Sequence, residues 1–164
     1  MSYPTEAAGQ GLYEVATSPK NELGAIAHFT DSNGAIYARY MKNDAGATLA
    51  AGNLVSYEGT GMGHIGGIFA TNSPIPMLAG GLATSLATDE YGWVIFQGVQ
   101  TNVSASATQN SATLERCVIP NGGGVTTAAI TVTQASLPQH AYIGIIGTQV
   151  VSTGAVNTIT WLWK

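Results

Sequence analysis

Apolar and polar residues alternate with a period of two along much of this chain, and short turn-forming clusters punctuate the alternation. Thr126, Ala128, Ile130 and Val132 interleave with Val125, Thr127, Ala129, Thr131 and Thr133. Val99, Thr101, Val103 and Ala105 interleave with Gln100, Asn102, Ser104 and Ser106, which predicts the first set inward and the polar set outward. Asn157, Ile159, Trp161 and Trp163 fall on one face of a last strand, with Thr158, Thr160 and Leu162 on the other. Period two is the signature of half-buried strands.

Other strands read from the same pattern are Gly24 to Thr30, Gly34 to Met41, Leu54 to Glu58, Ile68 to Thr71, Gly92 to Val99, Leu114 to Ile119 and Tyr142 to Val151. Asn33-Gly34 between two half-apolar runs predicts a hairpin, because both residues tolerate positive φ. Pro120-Asn-Gly-Gly-Gly124 stops one strand, and Ser152-Thr-Gly-Ala155 turns between the last two. Gly59, Gly61, Gly63, Gly66 and Gly67 predict a flexible segment around His64. Met77 to Thr88 is the only stretch with helical character; Gly80-Gly81 within it costs about 1 kcal/mol per Gly and reduces it to a loop or short turn of helix. The expectation is an all-β, single-domain β-sandwich or β-barrel of about eight short strands over residues 23–164. Residues 1–22 read as an extended N-terminal arm, anchored by apolar residues such as Tyr3, Leu12 and Tyr13.

Composition sharpens this picture. Charged residues are 9% of the 164 and hydrophobic residues 45%, so the chain has the means to fold and little of the charge typical of disorder. Nine of the fourteen charged residues precede Gly59, and none lies between Cys117 and Trp163. Polar residues break that segment too often for a membrane span. Its lack of charge admits two explanations: burial within the domain, or burial against other chains, since charge is depleted at interface centres. Lys20, Arg39, Lys42, Arg116 and Lys164 are scattered, with a net charge of −4, which argues against nucleic acid as a partner. The first residues have neither a basic region nor an apolar stretch, so no secretory signal is expected.

Candidate chemistry is sparse. Gly61-Met-Gly63-His-Ile-Gly66 fits G-x-G-x-x-G, yet Gly67, Pro74 and Pro76 follow where a dinucleotide site needs a helix N-terminus. His28, His64 and His140 are far apart in sequence; the one near neighbour of ligand type is Asp31, three residues after His28. Asp89-Glu90 reads as a solvated turn, because adjacent carboxylates on a turn point apart and a glycosidase needs two facing each other across a cleft. Cys117 is the only cysteine and reads as a strand position. The sequence therefore predicts no enzyme, no catalytic residue, no cofactor and no metal. The candidate functional residues are those of a subunit interface: Tyr3, Pro4 and Tyr13 in the arm, Thr127 and Thr131 on the Thr-rich face, and Thr158, Thr160, Trp161 and Trp163 on the last strand. Tryptophan suits that role because it is enriched among interface hot spots, although a place in the core is the favoured reading for both tryptophans.

Ala47-Thr-Leu-Ala-Ala-Gly-Asn-Leu-Val55 resembles the opening phrase of small tailed-phage capsid decoration (cement) proteins. Gly81-Leu-Ala-Thr84 followed by Tyr91-Gly92-Trp93-Val94 and Gly98 is similar to a phrase in the middle of the same β-domain. The resemblance spans Ala47 to Ser106. It implies a non-enzymatic virion structural protein on the outside of a phage capsid, made in the host cytoplasm, with the major capsid protein as partner and a homo-oligomer, a trimer first, as its state. A carbohydrate-binding β-sandwich on a phage fibre or head surface is the alternative, with Trp93 or Trp161 exposed to stack on sugar.

Overall fold

The computed structural model describes residues 10–32, 34–59, 61–69, 77–104, 117–121, 124–127, 144–146 and 156–162. The protein is all-β. Ten strands are present among these residues: β1 (Ile26–Asp31), β2 (Gly34–Asn43), β3 (Leu54–Glu58), β4 (Gly61–Ile68), β5 (Leu78–Leu82), β6 (Tyr91–Ser104), β7 (Cys117–Asn121), β8 (Gly124–Thr127), β9 (Gly144–Ile146) and β10 (Val156–Leu162). No helix among the described residues is long and apolar enough to cross a membrane.

The pairings run β1-β2-β4-β3-β5-β6-β10-β9-β7-β8, and β2 also pairs with β6. That last pairing closes β2, β4, β3, β5 and β6 into a five-stranded barrel, which removes the open edges that an unclosed sheet of these strands would present. All pairs are antiparallel except β2 with β4, which meet in parallel only at Lys42↔His64 and Asn43↔Ile65. The expected hairpin forms between β1 and β2, with Asp31 opposite Gly34. The remaining strands leave the barrel through β6. Its first half, Tyr91 to Gln97, pairs with β2, while Gln97 to Ser104 pairs with β10. β10, β9, β7 and β8 then form a wing beyond the barrel, and Cα atoms of β8 return to within 8 Å of β6.

Sequence neighbours on a strand point to opposite faces, so the split of neighbours between two apolar clusters shows that both faces of the barrel wall are covered. Tyr40, Leu54, Leu78 and Trp93 belong to one cluster; Met41, Val55, Ala79 and Val94 belong to the other. All five residues of β5 are buried. The first cluster is aromatic at its centre. Trp93 lies 5.0 Å from Tyr40 and 5.1 Å from Phe29 between ring centroids, with Tyr40 stacked on Tyr91 at 6.2 Å. Trp93 is 0% exposed, which removes it as a platform for sugar. Leu12 is buried in the same cluster, and Ala16 bridges to Tyr91, so the chain from Gln10 onward packs along the barrel before β1 begins.

Four expectations change. The segment around His64 is a strand, β4, in place of a flexible loop, and Met77 to Thr88 contributes β5 in place of a turn of helix. Glycine there serves close approach. A Cβ on Gly63 would come within 2.7 Å of the Leu23 Cβ, and one on Gly80, at φ +142°, within 2.2 Å of the Ile95 carbonyl oxygen. β7 runs through Pro120 to Asn121, with Pro120 opposite Val125. The alternation of β6 also breaks. Asn157 pairs with Val103 but Ile159 with Gln100, so β6 holds two residues, Thr101 and Asn102, against one on β10. This bulge turns both Gln100 and Val103 inward, leaving Thr101 exposed. Gln100 is 2% exposed and donates to the Leu82 carbonyl at 3.1 Å and to Asn102 Oδ1 at 2.8 Å. A buried amide is tolerated because its donors are used.

Candidate functional site

Asn43 and the backbone around it build the one cluster of convergent ionisable groups among the described residues. Asn43 ends β2 fully buried. Its Nδ2 donates to the carbonyls of Ala47, at 2.9 Å, and Leu86, at 3.0 Å, while its Oδ1 accepts from Ala45 N at 3.0 Å. Its main chain bonds Glu90 and Asp89, so three segments are tied at one point. Asp44 follows directly, and its own N–H donates to the Ile65 carbonyl at 3.1 Å. That bond sets Asp44 beside β4, where His64 sits in register with Lys42. Glu58, the last residue of β3, pairs with Gly61 at the start of β4.

The result is that one ligand atom from each of Asp44, Glu58 and His64 lies within 4.8 Å of the others. The two oxygens of Asp44 face different partners. Oδ1 takes Lys42 Nζ at 2.7 Å, and Oδ2 is hydrogen-bonded to His64 Nδ1. Lys42 also reaches Asp89 Oδ1 at 2.6 Å. Asp89 occupies a left-handed turn position, at φ 66°, which throws its carboxylate towards Lys42. Glu90 points the other way, its Oε2 accepting from Ala87 N at 2.7 Å. The adjacent acids thus diverge on a turn, as their sequence position predicts.

Electrostatics follow from these contacts. Burial pushes the Asp44 carboxyl up, but Lys42 and His64 outweigh it and hold the group below the ordinary carboxylate value. Hydrogen bonds from Asp44 and Asp89 push the Lys42 ammonium above its usual value. With His64 neutral, Lys42 contributes +1 and Asp44, Glu58 and Asp89 contribute −3, leaving −2. His64 is 39% exposed, so solvent reaches the cluster. The arrangement is suited to holding a cation.

No family model, curated protein or solved structure matches this chain.

The sequence-predicted interface residues fall elsewhere. Tyr13 is 54% exposed beside the buried Leu12. Thr127 lies on β8 opposite Val118. Thr160 and Trp161 lie on β10, which is flanked by both β6 and β9, and Thr158 stands against the β6 bulge. The strands β9 and β7 separate β10 from β8. Tyr3, Pro4, Thr131 and Trp163 lie outside the described residues. Of the histidines, His28 packs against Tyr37 across the β1–β2 hairpin, 5.0 Å between centroids, and His140 lies outside the described residues. Sequence reasoning missed Asp44 and Glu58 altogether and set His64 in a loop. The three are separated by 14 and 6 residues, and only the β2–β4 and β3–β4 pairings bring them together. Glycines at 61, 63, 66 and 67 and the register shifts between β3 and β4 hide the strand that carries His64.

Proposed function

We propose that this chain is a non-enzymatic virion structural protein that binds the outside of a phage capsid and stabilises contacts between capsomers. The observation that carries the reading is the charge-free stretch from Cys117 to Trp163, which holds the four strands extending beyond the closed barrel. Among the described residues, the members of both apolar clusters lie between Leu12 and Val103, before the wing begins. A wing without charge is well suited to meet another protein, because each unpaired charge buried in an interface costs several kcal/mol. The phrases that resemble decoration proteins fall in the barrel: Ala47 to Val55 leads into β3, and Tyr91 to Gly98 forms the first half of β6.

The partners in this reading are the major capsid protein and further copies of the chain, a trimer first, on the virion surface. Each protomer would bury about 1,000 Å² or more, and icosahedral repetition would multiply modest affinities. The test is to mix purified protein with undecorated heads and sediment them. Co-sedimentation at saturating, symmetry-related stoichiometry, with raised heat resistance of the heads, is the expected result. A clean monomer that stays in the supernatant overturns the reading.

A further inference from the structure

The geometry points to a divalent transition-metal site formed by Asp44, Glu58 and His64 at the rim of the barrel. Three observations meet here. The donor atoms come from three different backbone segments and already lie within 4.8 Å of one another. One imidazole nitrogen with two carboxylate oxygens is the donor set of zinc and its first-row neighbours, whereas calcium and magnesium prefer oxygen alone. The surrounding charge of −2, from three carboxylates and one ammonium, is matched by one divalent ion.

Lys42 does not block the site. Its ammonium holds Asp44 Oδ1 and Asp89, so the ion needs only Oδ2, the oxygen facing His64. Binding replaces the hydrogen bond between Oδ2 and His64 Nδ1 with two metal bonds, and the proton shared there leaves Nδ1, the neutral imidazole keeping its N–H on Nε2. Donor atoms around a tetrahedral zinc stand about 3.3 Å apart, so the imidazole must move outward, which its partial exposure permits. Glu58, exposed at the end of β3, closes the third position, and water takes the fourth. Lys42 and Asn43 act as positioning residues: the first orients the Asp44 carboxylate, and the second fixes the turn that carries it. The bound ion ties the ends of β2 and β3 to β4, which meets β2 in only a two-residue parallel pairing. The site is independent of capsid binding and is tested on the isolated full-length chain.

The experiment strips the protein with a chelator and titrates it with Co²⁺, read by visible absorption, and with Zn²⁺, read by calorimetry and thermal unfolding. The expected result is one ion per chain, a tetrahedral or five-coordinate cobalt spectrum, and an unfolding midpoint raised by about 5–10 °C at hundredfold excess of Zn²⁺ over Kd. Glu58→Gln, at an exposed strand end, weakens Zn²⁺ at least about tenfold, and His64→Ala abolishes the cobalt spectrum; both keep the wild-type circular dichroism. His28→Ala binds as wild type. Absence of stoichiometric binding overturns the proposal. So does binding that survives the Glu58→Gln, His64→Ala double variant, or Mg²⁺ binding as tightly as Zn²⁺.

Discussion

Asn43 shows how much one side chain can hold. It satisfies two carbonyls and one N–H from three places in the chain while fully buried. Truncating it to Ala strands the Ala47 and Leu86 carbonyls, each costing about 1–3 kcal/mol when left unpaired. Asn43→Ala is therefore expected to lower stability by at least about 2 kcal/mol in urea unfolding, with an unchanged slope. Trp93, packed among Phe29 and Tyr40, is a larger case. Trp93→Ala is expected to cost about 3–5 kcal/mol, read as a lower midpoint in urea unfolding. Two tyrosines set the alkaline limit. Burial pushes the phenols of Tyr40 and Tyr57 above their ordinary value; Lys20 N–H partly offsets it at Tyr40, and Arg39 does so at Tyr57. The folded state thus favours their protonated forms. Their contribution is complete below the unfolded value of about 10 and is lost as pH rises through the higher folded values. Ultraviolet difference spectra should show these two ionising together with the loss of circular dichroism. Their ionisation while the circular dichroism stays intact would contradict this.

At the level of elements, the legible strands were those with β-branched and aromatic residues at or near period two: the β1–β2 hairpin, β3, the first half of β6 and, further on, β7, β9 and β10. Pattern reading failed at β4 and β5 because it treats glycine as flexibility. In this fold Gly63 and Gly80 are glycine because a neighbouring chain passes too close for a Cβ. It failed again at Gln100, because a bulge shifts the phase of a strand without any mark in composition. The Asp44, Glu58 and His64 cluster was illegible for a related reason: it depends on the short parallel pairing of β2 with β4, a contact between distant segments. Gly80→Ala tests this directly. Overpacking costs about 1–3 kcal/mol, and the positive φ adds to it, so the variant should lose more stability than Gly67→Ala, whose φ of +153° is as restrictive but which has open space around it. Equal losses in thermal melts would mean that backbone conformation, not the approach of β6, explains the glycine.

The molecule as a whole divides its composition. The barrel holds the ion pairs described here, and the wing belongs to a stretch with no charge at all. If the wing meets other chains, one charge placed on it should separate folding from assembly. Thr160→Lys is expected to leave the circular dichroism and melting point near wild type while reducing association with heads at least about tenfold. An unfolded variant would instead place Thr160 in the interior of this chain.

The division of β6 also orders events in time. Residues 91–97 pair with β2 and residues 97–104 pair with β10, so a single strand joins the barrel to the wing. A chain emerging from the ribosome has every strand of the barrel in hand before any strand of the wing exists. Folding can therefore proceed from front to back, with the strands of the wing added to a barrel whose strands are already made.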